Sequence, residues 1–229
     1  MKLFIERESE IFDILDSFNK AKLNYILIGG YAVSAYMHRF SVDADVCIDK
    51  KDLISFKKIL KTKHFELAKS KDLEDAYKGK FECYIKKVQL PVTVDLLIGS
   101  IASRQTNASI SFAQLYDNSI VKKITGLEKT ISVRIPAKEI LIAIKIHSAR
   151  LTAARDIVAL CHNIDFDGVS KFMHAGNTEE IKNNLNKLLS YFKSDNFKDA
   201  FKGVFSIEKL PTDNIRNAIK LVEKLKTQI

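Results

Sequence analysis

Tyr25-Ile-Leu-Ile-Gly29-Gly30, twelve residues, and then Asp43-Ala-Asp45-Val-Cys-Ile48 form the stretch on which the fold turns. The apolar run Tyr25 to Ile28 predicts a short buried strand. Gly29 and Gly30 close it, and Tyr31 to Met37 predicts a helix. Asp43 and Asp45 then head a second apolar run, Val46 to Ile48. Residues two apart on a strand point to the same side, so both carboxylates aim at one place. A glycine turn that opens a helix lets backbone N–H groups approach a phosphate, and the helix N-terminus favours its charge. A phosphate cradle beside a carboxylate pair is the combination that metal-assisted phosphoryl transfer requires. A glycine pair alone carries little; the spaced Asp-x-Asp gives it weight.

A two-metal site needs ligands from more than one strand, because its ions lie about 3.5–4 Å apart. Asp95 supplies the candidate. It sits in Val92-Thr-Val-Asp95-Leu-Leu-Ile98, a β-rich run following Pro91. An acid there is costly unless it is paired or holds a metal. A structural hydrogen-bond acceptor is the other reading of a single buried aspartate.

These residues resemble the DNA polymerase β-like nucleotidyltransferase superfamily. Its pattern is a hydrophobic strand, Gly-Gly or Gly-Ser, about ten residues, Asp-hydrophobic-Asp, and a later acid on a neighbouring strand. Gly29, Gly30, Asp43, Asp45 and Asp95 match it. Arg39-Phe-Ser41-Val-Asp43 resembles the Arg-x-Thr-x-Asp-x-Asp variant of the AbiE-type toxin branch. Val133-Arg-Ile-Pro136-Ala-Lys-Glu-Ile-Leu141 with Lys145, and Arg155-Asp156-Ile-Val-Ala-Leu160, resemble that branch's strand, lysine helix and closing helix. The likeness runs from about Tyr25 to Leu160. Ser41 stands where Thr is commoner, Gly30 where Ser often stands, and Ala44 where a larger apolar residue is usual.

The resemblance implies an enzyme with Asp43, Asp45 and Asp95 as catalytic and metal-binding residues. It implies two Mg2+ ions, with Mn2+ as an alternative, and a nucleoside triphosphate as substrate. A nucleoside monophosphate would pass to an acceptor, RNA being favoured. Gly29, Gly30, Arg39, Ser41, Lys145 and Asp156 would bind the nucleotide. A toxin role with an antitoxin protein as partner follows from the same branch. The alternative is a non-catalytic nucleotide or RNA-binding module using the same cleft.

Several of these residues have plainer readings. Lys145 lies in Ile140-Leu-Ile-Ala-Ile-Lys145-Ile146, where a lysine either snorkels to solvent or meets an anion. Asp156, eleven residues on, shares its face if one helix runs through both. Arg39 reaches a phosphate or pairs with a carboxylate. Ser41 binds phosphate or fixes a turn.

The 229 residues suffice for one large domain or two small ones with a real core. No apolar run approaches the roughly 20 residues of a membrane span, so no membrane role is expected. The N-terminus turns acidic at once and lacks a signal peptide's apolar region. Cys47, Cys83 and Cys161 show no CxxC spacing, which predicts reduced thiols and a cytoplasmic location. His147, His162 and His174 lack zinc-ligand pairing.

The net charge of +9 is uneven. Residues 50–90 hold 12 lysines against 6 acids, whereas residues 1–49 hold 5 basic groups against 8 acids. Lysines 50, 51, 57, 58, 61, 63, 69, 71, 78, 80, 86 and 87 therefore form either an RNA-binding patch or a solvated face.

The expected fold is α/β (α+β): a small mixed nucleotidyltransferase sheet flanked by helices, then an all-helical C-terminal domain. The expected domains are 1–135, catalytic, and 136–229, helical. Helices are expected at Glu8–Lys22, Lys51–Lys63 and Ala137–Leu151. Strands are expected at Phe65–Ala68, Phe81–Val88, Ile120–Ile124 and Thr130–Ile135. Lys71–Lys78 reads as irregular or a short helix, and Gly99–Asn118 as a loop with one helical turn near Phe112.

Overall fold

Five strands form a mixed sheet in the computed structural model, which describes residues 2–73 and 79–229. They are β1 (Tyr25–Ile28), β2 (Asp43–Ile48), β3 (Glu66–Asp72), β4 (Lys80–Lys86) and β5 (Val92–Ile98), in spatial order β1-β2-β5-β4-β3. Only the β2–β5 pair is parallel; the others are antiparallel. Residues 74–78, which include part of the expected irregular segment, lie outside the described residues.

Alternation decides which way each strand faces. Val92, Val94, Leu96 and Ile98 are buried, and they lie beside Ala44, Val46 and Ile48 of β2. Helices α1 (Lys2–Lys20) and α3 (Leu53–Thr62) cover this face. Ile11, Phe12, Ile14, Leu15 and Phe18 of α1 are buried. Phe18 meets Phe56 of α3 edge-on at 4.8 Å and Tyr25 of β1 at 5.7 Å. Each such side chain contributes about 1.5–3 kcal/mol on burial. The opposite face, carrying Asp43, Asp45, Thr93, Asp95 and Leu97, remains only half-buried.

Helix α1 starts at Lys2, six residues before its expected start. A 3₁₀ turn at Lys50–Asp52, capped by the Asp49 side chain on the Lys51 N–H at 3.1 Å, precedes α3. The expected loop over Gly99–Asn118 instead contains β6 (Ser100–Ser103) and β7 (Ala108–Ser111), a two-stranded ladder. It then leads to α4 (Phe112–Asp117), held by a Ser111/Gln114 capping box. A further hairpin pairs β8 (Ser119–Thr125) with β9 (Thr130–Pro136).

All remaining elements are helices: α5 (Lys138–Ser148), α6 (Leu151–Leu160), α7 (Phe166–Ser170), α8 (Thr178–Lys193), α9 (Phe197–Phe205) and α10 (Thr212–Gln228). The expected helix from Ala137 to Leu151 is broken. Ala149 adopts a left-handed conformation at φ 38° and ends α5, and Arg150 is extended. Leu185, Leu188, Phe192, Phe197, Phe201 and Phe205 are buried, so this apolar set is spent on a core.

Two compact units divide the chain. One comprises Met1–Ala35, Phe40–Ile101 and Ile110–Pro136. The other comprises Tyr36–Arg39, Ala102–Ser109 and Ala137–Ile229. Two short insertions from the first 135 residues thus belong to the largely helical unit.

Candidate active site

Strand register builds the site of the first unit. The parallel β2–β5 pair sets Asp45 directly beside Asp95, and Asp43 beside Thr93. Residues paired across a ladder share a face, and neighbouring strands run about 4.8 Å apart. Asp43, Asp45 and Asp95 therefore stand on one side of the sheet, the half-open one. Antiparallel pairing continues the row: Asp95 beside Cys83 of β4, and Cys83 beside Lys69 of β3. On the other side Asp45 pairs with Ile28, the residue before the glycines.

Gly29 makes room for Asp45. Its φ is +68°, and a Cβ on it would overlap the Asp45 Oδ2. Only glycine takes that backbone conformation cheaply and allows the approach. Gly30 is buried. The helix they open, α2 (Gly29–Ser34), is six residues long, ending at Ser34 instead of Met37. So short a helix adds little dipole, and a phosphate there would rely on the turn's own N–H groups.

Ser41 is buried and faces inward. Its hydroxyl lies 3.4 Å from Asp43 Oδ1, and its carbonyl accepts from the Tyr31 hydroxyl at 3.0 Å. This geometry holds the turn and the Asp43 carboxylate.

Asp95 carries the clearest electrostatic sign of a site. Burial pushes its carboxyl above the usual aspartate range; the Cys83 thiol pulls it down by hydrogen bonding, while the Asp43 charge pushes it up. The thiol itself is pushed up to about 12, by burial first and then by Asp95. The Asp95 Oδ1 is buried with no hydrogen-bond partner. An unsatisfied buried group costs about 1–3 kcal/mol, more when charged, and a cation would relieve it. The donors are all hard carboxylate oxygens, which suits Mg2+ or Mn2+. Among the described residues no three Asp, Glu, His or Cys side chains are gathered into a ready-made cage. Mg2+ commonly uses one or two carboxylates with substrate phosphates and water, so these residues fit it as a nucleotide-borne ion.

A second charged cluster lies in the helical unit. Asp156 of α6, 2 % exposed at its side chain, receives Lys145 Nζ of α5 at 2.7 Å and faces Arg39 Nε at 3.3 Å. Lys145 and Asp156 meet across the α5–α6 break instead of along one helix. Two cations on one buried carboxylate leave a positive excess, which suits an anion.

The lysine-rich segment divides by partner. Lys57 and Lys80 bind buried Glu82 at 2.9 and 3.0 Å, and Tyr84 donates to it at 2.7 Å. Burial pushes the Glu82 carboxyl up, but these three bonds leave it below its usual range. Lys86 binds Glu10 at 2.6 Å, Lys51 lies 3.5 Å from Asp49, and Lys87 lies 3.9 Å from Glu66. Lys78 lies outside the described residues. From sequence Lys69 stands only among the patch lysines and Cys83 only as a reduced thiol; strand register is what brings them into one row with Asp95.

This architecture, a small mixed sheet flanked by helices with a helical region after it, is a nucleotidyltransferase fold. Over its whole length the chain is similar to the crystal structure of a provisionally named nucleotidyltransferase from H. pylori, with TM-score 0.55 and 16% identity across 96% of that protein. JHP933 from Helicobacter pylori aligns with 100% of this chain and 94% of its own, at 17% identity and TM-score 0.47. At 16% identity the first likeness is one of fold. No family model matches the sequence, and no curated protein matches it significantly. No helix among the described residues is long and apolar enough to cross a membrane.

Proposed function

We propose that this chain is a magnesium-dependent nucleotidyltransferase, moving a nucleoside monophosphate from a triphosphate to an acceptor hydroxyl. The observation that carries this reading is the row in which Asp45 and Asp95 stand side by side, with Asp43 on the same face and Gly29 yielding space to Asp45. Asp43, Asp45 and Asp95 would hold the ions, Mn2+ being an alternative. When bound, Mg2+ supplies charge neutralisation on the phosphates and polarises the α-phosphorus.

The chain's own groups supply the rest. The Gly29–Gly30 turn offers backbone N–H groups to the phosphates. Ser41 steadies Asp43, and in the helical unit Lys145 and Arg39, held by Asp156, form a cationic cluster suited to an anion such as a phosphate. The acceptor oxygen forms a bond to the α-phosphorus as the α–β bridging bond breaks and pyrophosphate leaves with its electron pair. The hydroxyl proton passes to Asp95, the carboxylate that the register sets beside Asp45. RNA is the favoured acceptor. The three cysteines are free, which supports a cytoplasmic setting. The AbiE-like motifs around Arg39, Lys145 and Asp156 support a toxin role with an antitoxin partner.

The test is incubation with each labelled triphosphate, Mg2+ and total cellular RNA or protein, asking which material takes up label. Asp43→Ala should abolish labelling while its melting curve stays cooperative. Continued transfer by that variant overturns the assignment. Growth arrest on expression, relieved by the same substitution, tests the toxin role.

The second reading is a non-catalytic nucleotide or RNA-binding module that uses the same face of the sheet. That reading expects melting raised by nucleotide without any turnover.

A further inference from the structure

We infer that Lys69 binds a backbone phosphate of a polynucleotide acceptor, placing the acceptor's 3′ hydroxyl on the Asp95 side of the carboxylate row. The inference rests on the nucleotidyltransferase reading above and names its acceptor class.

Strand β3 is irregular between Leu67 and Lys69. Leu67 pairs with Tyr84 of β4, but the next paired residue is Lys69, beside Cys83; Ala68 is the extra residue of a bulge. A bulge shifts register by one, and a one-residue shift moves every later side chain to the other face. In regular pairing from Leu67, Ala68 would face Cys83 and Lys69 would face Glu82. The bulge instead gives Glu82 to Ser70 and sets Lys69 beside Cys83 and Lys71 beside Phe81. Both lysines therefore join the half-open face that carries the acids.

Position in the row then assigns the ligand. From one end it reads Ile28, Asp45, Asp95, Cys83 and Lys69. The glycine turn follows Ile28, so the phosphate cradle lies at that end. Lys69 lies two strands beyond Asp95 at the other end, about 10 Å away at ordinary strand spacing. Its charge acts on Asp95 and on Cys83. An anion there is not the triphosphate in the glycine turn; it belongs to the molecule that attacks from the Asp95 side.

Exposure and pairing agree. Lys69 and Lys71 are exposed, and among the described residues neither has an ion pair within 4 Å. Lys57 and Lys80 are instead committed to Glu82 on the covered face. Lysine is a compact, flexible point charge suited to a phosphate whose exact position varies with sequence.

The experiment uses the full chain and a fluorescently labelled, mixed-sequence single-stranded RNA. Anisotropy is followed across a salt series without metal or triphosphate. Lys69→Gln should weaken binding and lower the slope of log affinity against log salt by about 0.7, the value for one lost contact to a single strand. Lys69→Arg should restore both. The exchange Lys69→Ser with Ser70→Lys keeps composition and net charge but moves the cation to the covered face; it should behave like Lys69→Gln. Lys58→Gln, on α3, should leave binding unchanged. Equal RNA binding by Lys69→Gln, or by the exchange, overturns the inference. So does weakened binding of a labelled triphosphate by Lys69→Gln, which would assign the lysine to the nucleotide. Because RNA binding is read without turnover, it can fail while labelling by the wild type succeeds, and the reverse.

Discussion

Gly29 and Asp45 are fitted to each other: the Asp45 carboxylate fills the space that any side chain at position 29 would need. Gly29→Ala therefore has two consequences. The positive φ costs about 1–2 kcal/mol for an L side chain, and the carboxylate must turn away. Denaturant melts should show at least that loss, and nucleotide transfer should fall far more than stability explains. A variant with unchanged transfer would separate Asp45 from the chemistry.

Asp156 is the buried counter-charge of Lys145 and Arg39. Removing one member of a buried pair leaves uncompensated charge and costs about 3–5 kcal/mol. Asp156→Ala should lower the urea midpoint by a corresponding amount at constant slope. A loss below about 1 kcal/mol would mean that water reaches both cations.

Asp95 should weaken the fold that holds it. Its folded carboxyl titrates above the unfolded one, mainly through burial. The protonated form is therefore favoured by folding, and stability falls as pH rises from the ordinary aspartate range through the raised value. Asp95→Asn, which cannot ionise, should melt higher than wild type at neutral pH, and the difference should shrink on acidification. It should also lose transfer. A lower melting temperature at neutral pH would show that the carboxylate is satisfied in the fold.

His147 of α5 should make the helical unit acid-sensitive. It is buried, with Nδ1 2.9 Å from the Thr106 hydroxyl, and burial holds its pKa below 6.5. The neutral form is favoured by folding, so its contribution is intact above about pH 6.5 and is lost as pH falls through the lower folded value. His147→Gln should flatten this part of the stability profile, read from melts across that window. An unchanged profile would exclude His147 as the titrating group.

The candidate site residues were legible where the rule is local. Asp43 and Asp45 share a face because any strand alternates, and Gly29 follows a strand short enough to recognise. The covered face of β5 was equally visible in its alternation. Other features were not. β3 was expected as Phe65–Ala68 and runs Glu66–Asp72, fully exposed and rich in charge; it exists because β4 offers a partner, not because its residues favour strands. The β6–β7 ladder was hidden for a similar reason, its short polar segments showing little beyond Ile101 and Ile110.

Lys145 and Asp156 show the division most sharply. Their spacing suggested a meeting along one helix, and they do meet, but across a break at Ala149 that no glycine or proline announces. By itself the sequence determined which side chains carry charge and, through the two-residue repeat, which of them share a strand face. Only the tertiary structure decided who stands beside whom: Asp95 against Asp45, and Lys69 on the acid side through one bulged residue. Hydrogen-bond register between distant segments sets those neighbours, and one residue of slip would reverse each face without altering local preference.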